Sequence, residues 1–266
     1  MQNKPTIVLI HGLLMSPKSW SGWKARYQDA GYEVIAQPWP GVSDDVEGLR
    51  KDPTTLNGLR IGAVIDFYDT VVRGLDEPPI IIGHSFGGVV TQALLNRGLG
   101  RVGVAVDSAP SAGVPVLPLS LVRVGIPVFT RPWNIGRTIL LTPKQFQYGF
   151  ANTLPLDEAA KISDEFQIPG PERPFWQVSA ALFFNVGDTK MDYNKSDRAP
   201  LLFITGGEDH IVPPKMTYKN AARYKGEGTI TEVKEFPGRS HYGIVGDNGW
   251  EEVADYALSW ATRFTS

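Results

Sequence analysis

The sequence predicts an α/β fold in which a mostly parallel sheet is flanked by helices. Short β-branched runs alternate with longer helical patterns, and the runs are apolar on both faces, as strands buried between helix layers must be. One long proline-rich stretch interrupts the alternation. In order, the strands are Thr6 to Ile10, Tyr32 to Ala36, Ile80 to Ile82, Val102 to Val106, Leu201 to Thr205 and Ile230 to Phe236. A helix is expected from about Pro17 to Ala30. Ser16 can cap it, Pro17 suits its first position and Gly31 can end it. A second helix carries Leu56, Leu59, Ala63, Phe67, Val71 and Leu75 near a 3.6-residue period. Gly88 to Arg97, Lys215 to Tyr224 and Gly249 to Phe264 complete the set, and this order of elements favours a parallel sheet.

Residues 110–199 break the rhythm. They hold 10 of the 21 prolines, several aromatic residues (Phe129, Trp133, Phe146, Tyr148, Phe150, Phe175, Trp176) and short helical segments such as Leu156 to Phe166. A long insertion between two strands of a compact sheet is more often a functional lid than an idle loop. The expected division is therefore core 1–109, insertion 110–199 and core 200–266.

Composition narrows the function. The 266 residues include 26 Lys+Arg against 28 Asp+Glu and no cysteine. That excludes disulfides, cysteine-ligated metals and a thiol nucleophile. A near-neutral balance without a basic run disfavours nucleic acid as a partner. No stretch approaches the roughly 18 apolar residues of a membrane span. The strand at Thr6 follows the N-terminus so closely that no signal peptide is expected, which points to a cytoplasmic protein.

Gly83-His84-Ser85-Phe86-Gly87-Gly88 fits the pattern G-x-S-x-G. With 14 serines and 28 glycines, chance supplies only ~0.15 such matches. Context adds weight, because Pro79 to Ile82 reads as a strand and Val89 to Leu95 as a helix. A serine on that sharp turn is lifted clear of the sheet, above a helix N-terminus that offers free N–H groups.

Such a serine needs a base. Of four histidines, His84 adjoins the nucleophile, His11 closes the first strand and His210 follows a candidate acid. His241, in a loop just past the last strand, is expected to be the base. Asp209, after the Leu201 to Thr205 strand, is expected to orient it, with Asp107 as the rival carboxylate. The main-chain N–H groups of Leu13 and Phe86 are the candidate oxyanion donors.

Taken together, Ile10 to Leu13, Gly83 to Gly88, Gly206 to Pro213 and Gly238 to His241 resemble the α/β-hydrolase superfamily. The resemblance implies an acyl-enzyme formed on Ser85, with His241 as base and then acid and Asp209 orienting it. It also implies a helical cap inserted before the penultimate strand. One departure from the family pattern is visible: with only a few residues before Thr6, the two leading strands of the full superfamily sheet are not expected, which suggests about six parallel strands. Serine at position 85 separates the chain from the dehalogenase and epoxide-hydrolase branches, which resemble this core but use aspartate there. No cofactor and no metal site are expected, since no two histidines have a ligand spacing such as H-E-x-x-H.

The leading expectation is hydrolysis of an ester, lactone or related acyl bond in a hydrophobic small molecule. Two alternatives share the scaffold. In one, a lyase or cofactor-free oxygenase uses His241 to abstract a substrate proton. In the other, a small-molecule receptor retains the triad for slow turnover.

Overall fold

Period-two alternation along buried strands decides which helices cover which face of the sheet. The computed structural model describes residues 4–265, so Met1 to Asn3, on which the signal-peptide expectation bears, lie outside the described residues. Six parallel strands run in the order β2-β1-β3-β4-β7-β8: β1 (Ile7–Ile10), β2 (Val34–Ile35), β3 (Ile80–His84), β4 (Val102–Val106), β7 (Leu201–Gly206) and β8 (Thr231–Phe236). The numbers β5 (Thr138–Ile139) and β6 (Gly170–Pro171) belong to a small antiparallel ribbon in the insertion.

Ile7, Leu9, Ile80, Ile82, Leu202 and Ile204 point to one face, where Trp23 and Tyr27 of α1 (Ser21–Asp29) and Val253, Ala257 and Trp260 of α10 (Trp250–Thr262) cover them. Val8, Ile10 and Ile81 point to the other, beneath α3 (Ile61–Arg73) and α4 (Phe86–Asn96). Each fully buried Ile, Leu or Val contributes about 1.5–3 kcal/mol, and the alternation places one on each side at every step. At the sheet's edge, β8 is only half-buried, and its Glu232, Lys234 and Glu235 discourage pairing with another strand.

Two local expectations shift. The first helix opens with a 3-10 turn at Pro17–Trp20, and the Ser16 side chain makes no cap bond. In α3 the buried stripe is Ile61, Val64, Ile65, Tyr68 and Val72, while Ala63 is exposed and Phe67 and Val71 are half-buried. The helix offers two neighbouring apolar stripes at helical spacing, and the bulkier one turns inward. Sequence periodicity also passes over α2 (Val46–Lys51), capped by Asp45 accepting from the Gly48 N–H at 2.9 Å.

Between β4 and β7 the chain leaves the sheet and forms α5 (Leu119–Phe129), the β5–β6 ribbon, α6 (Pro143–Phe150), α7 (Leu156–Phe166) and α8 (Glu172–Ala181). Phe146, Phe150 and Ala159 join the core on the α1/α10 side, and Val178 joins it on the α3/α4 side. Main-chain bonds from Ser16 to Phe166 (2.9 Å) and from Ile168 to Leu14 (3.0 Å) stitch the insertion to the loop after β1. α9 (Pro214–Ala221) then connects β7 to β8 and packs against both.

Candidate active site

Three side-chain-bearing residues outside glycine adopt positive φ among the described residues: Leu14 (69°), Ser85 (57°) and Asp107 (39°). They lie just past β1, β3 and β4, along the C-terminal edge of the sheet. Backbone strain of this kind costs about 1–3 kcal/mol per residue and persists where surrounding structure enforces it. At Ser85 the enforcement is steric. A methyl group on Gly83 would lie 2.0 Å from the Gly87 carbonyl oxygen, and one on Gly87 would lie 2.1 Å from the Ile10 carbonyl oxygen. Only glycine lets β3, the turn and α4 approach so closely, which accounts for the spacing seen in the sequence.

The loop after β1 comes equally close, since a methyl group on Gly12 would sit 2.8 Å from Ser85 Cβ and 3.4 Å from its Oγ. Phe86 is the first residue of α4, so its N–H has no intrahelical acceptor. The Leu13 N–H likewise has no acceptor among the described residues. Both proposed oxyanion donors thus stay free beside Ser85.

His241 is fully buried, and its Nδ1–H donates to Asp209 Oδ2 at 2.6 Å. The other Asp209 oxygen accepts from the Ile211 and Val212 N–H groups at 2.6 and 2.9 Å, which fixes the carboxylate. Nε2 of His241 has no hydrogen-bond partner among the described residues, so it does not meet Ser85 Oγ in a hydrogen bond here. Catalytic bonds of this kind are often loose before substrate arrives. The structure thus brings Asp209 and His241 into contact, with Ser85 on the same edge of the sheet. Asp107, by contrast, accepts from the Gly206 N–H at 2.7 Å. Burial, and next the charge of Asp209, hold its pKa well above the ordinary carboxylate range.

The other histidines have structural partners. His11 Nε2 accepts from the Trp39 N–H at 3.1 Å, so Nδ1 carries the proton and donates to the Gly12 carbonyl at 2.9 Å. Burial lowers its pKa to about 4, so it stays neutral at pH 7. His210 Nδ1 meets the Tyr148 carbonyl at 2.8 Å. His84 has a role that sequence reasoning missed. Its Nε2–H donates to the His241 main-chain carbonyl at 2.9 Å, and the two rings pack at 4.5 Å. Burial, and next the nearby His241, push the His84 pKa well below normal, so it anchors the His241 loop as a neutral donor. No sequence spacing could reveal this contact, which spans 157 residues. The spacing argument against a metal site also misses that His84, Asp107 and His241 each present a ligand-type atom, all within 4.8 Å of one another. His84 Nε2 and His241 Nδ1 are already engaged in hydrogen bonds.

The insertion completes the walls. Phe150 meets the His241 ring edge-on at 5.2 Å. A cavity of about 40 Å³ reaches Ser85 and is lined by Leu121, Phe175, Val178 and Leu182 from the insertion and by Ile211 and Met216 from the core.

A model of the alpha/beta hydrolase family matches residues 7–256. The chain belongs to that family. Among curated relatives, the AB hydrolase superfamily protein YfhM of Bacillus subtilis is 38% identical over 94 residues, which is 34% of this chain and 30% of that one. This chain's match therefore spans less than a third of that relative. An extracellular alpha/beta-hydrolase from a Paenibacillus species, said to share structural and functional homology with tobacco salicylic acid binding protein 2, superposes with a TM-score of 0.72. It is 19% identical, over 97% of this chain and 99% of that chain. A monoacylglycerol lipase of Paleococcus ferrophilus gives 0.68 at 19% identity, over 98% and 96% of the two chains. At such identities the likeness shows the shared alpha/beta-hydrolase fold.

Proposed function

We propose that the protein is a serine esterase that cleaves an ester or related acyl bond of a hydrophobic small molecule through an acyl-enzyme. The observation that carries this reading is the buried Asp209–His241 pair, whose free Nε2 belongs to the same sheet edge as a serine held at φ 57°. His241 Nε2 takes the Ser85 proton as Oγ attacks the carbonyl carbon. Leu13 and Phe86 N–H groups receive the oxyanion, each donor being worth about 2.7–4 kcal/mol of barrier. His241 then protonates the departing alcohol. In the second half, water gives its proton to His241 and attacks the acyl carbon, and Ser85 leaves with that proton.

Residues 110–199 act in this reading as a cap that sets substrate preference. The apolar lining supports a hydrophobic acyl or alcohol group. A cavity of about 40 Å³ has room for only ~3 waters, which favours a short group near Ser85. The test is kcat/KM on p-nitrophenyl esters from short to long chains, run beside Ser85→Ala. The expected result is turnover with a short-chain optimum that falls at least ~10⁴-fold in the variant. Negligible turnover by folded wild-type protein, or turnover that survives Ser85→Ala, would refute the proposal.

A further inference from the structure

The outward side of α5 carries large apolar residues where a solvent-facing helix normally carries polar ones. Leu119, Arg123, Ile126 and Thr130 follow one another at i, i+4, i+7 and i+11, so they share one face, and all four are exposed. Leu119 is 87% exposed and Ile126 is 50% exposed. The chain then turns through Trp133, 75% exposed, and on to Ile135 and Leu140, which also face water. A helix with one charge in eleven residues and leucine and isoleucine on its outer face normally has a partner there.

Charge indicates which partner. Residues 108–156 contain Arg123, Arg131, Arg137 and Lys144 and no acid, whereas the rest of the chain has 22 Lys+Arg against 28 Asp+Glu. All four cations are exposed, and none forms an ion pair among the described residues. Arg131 lies near the buried Glu172, which offsets part of its charge. Arg123 and Lys144 line a shallow groove of about 180 Å³ between α5 and α6, together with Gln145 and Tyr148. A second copy of the chain docked symmetrically on this face would set these cations against themselves. An anionic surface has the complementary charge.

We propose that α5 and the following turn dock on an anionic phospholipid surface, with Leu119, Ile126 and Trp133 entering the headgroup–acyl boundary and Arg123 and Lys144 holding phosphates. Basic charge beside exposed leucine and tryptophan is the pattern of an interfacial helix. At eleven residues α5 is too short to span a bilayer, and no helix among the described residues is long and apolar enough to do so. Docking would also place the cavity rim against lipid. Leu121 and Leu182 line that cavity, and their neighbours Leu119 and Phe183 are exposed.

Vesicle cosedimentation of the intact protein tests this without recourse to turnover, so it stands apart from the esterase reading. The protein should sediment with phosphatidylcholine vesicles containing about one-third phosphatidylglycerol, remain in solution with pure phosphatidylcholine, and detach as salt rises. Arg123→Gln and Lys144→Gln should each lower the partition coefficient about fivefold. Leu119→Glu should lower it at least about tenfold. These side chains are exposed, so each variant should keep the wild-type circular dichroism spectrum and melting temperature, and Trp133→Ser provides a second apolar deletion if one does not. Equal binding to both vesicles, binding to neither, or variants that bind like wild type would overturn the proposal. So would a dimer in sedimentation velocity that Leu119→Glu dissolves, because a second copy would then occupy the face.

Discussion

The C-terminal edge of the sheet and the insertion that covers it touch each other and are built on opposite terms. Along the edge, His84, Ser85, Asp107, Asp209 and His241 are each at most 4% exposed, and close steric contacts hold the backbone in strained conformations. Across the insertion, large apolar side chains meet water. Ten of the twelve exposed large hydrophobics among the described residues lie between Leu117 and Val186. The edge therefore has one arrangement and little tolerance, as reaction geometry requires. The insertion has apolar surface to spare, which suits the proposed roles in substrate choice and surface docking. Substitutions on the edge should switch activity off, and substitutions in the insertion should redirect it.

The largest effect separates two carboxylates on that edge. Asp209→Asn should lower kcat about 10⁴-fold, because the amide would impose the wrong tautomer on His241. Asp107→Asn should stay near wild type, since the Asp107 side chain accepts from the Gly206 N–H rather than meeting His241, and an amide oxygen can accept the same bond. The reverse pattern in steady-state kinetics would hand the orienting role to Asp107. Next comes Gly12→Ala. Its methyl group, 2.8 Å from Ser85 Cβ, would push the loop and the Leu13 N–H out of place. A loss of roughly 10²–10³ in kcat is expected, with KM little changed.

Acid should loosen the edge. The folded-state pKa of His11 is lowered to about 4 from 6.5, so the unfolded chain binds its proton first as pH falls. Stability from this group is complete above pH 6.5 and is lost between pH 6.5 and 4, to a total of about 3 kcal/mol. His84, shifted in the same direction by burial and then by His241, adds to the loss. Asp107 has the opposite sign: its raised folded-state pKa favours the folded state at low pH, and that contribution is lost as pH rises. Melting temperature should therefore fall steeply from pH 6.5 to 4.5, and His11→Asn should flatten that slope. An equally steep slope in the variant would place the acid sensitivity elsewhere.

The smallest effect belongs to the insertion. Leu182→Ala enlarges the cavity at Ser85 and should move the ester chain-length optimum to longer acyl groups, with at most a few-fold change in the best kcat/KM. An unchanged optimum would take Leu182 out of substrate selection.

What the sequence reveals divides along the same boundary. The six strands, the serine turn and the helices that follow are legible because local rules govern them: a short continuous β-branched run in β3, glycine where backbones nearly touch, and proline at helix starts. The pairing of Asp209 with His241 follows from strand order, which puts both loops on one edge. Other features are not local. His84 bonding to the His241 carbonyl joins residues 157 apart, and the choice of buried stripe on α3 depends on the strands beneath it. The insertion carries only one helix that periodicity picks out, Leu156–Phe166. The β5–β6 ribbon is two residues per strand, too short for any alternation to register.

The central claim is that Ser85 is the nucleophile and His241 its base. The most direct measurement is the intact mass of the protein after treatment with a fluorophosphonate ester, followed by peptide mapping. One phosphonyl group should be added per chain, on Ser85, and Ser85→Ala and His241→Ala should each abolish labelling while retaining the wild-type circular dichroism spectrum. A folded wild-type protein that stays unlabelled, or that carries the adduct on another residue, would contradict the account.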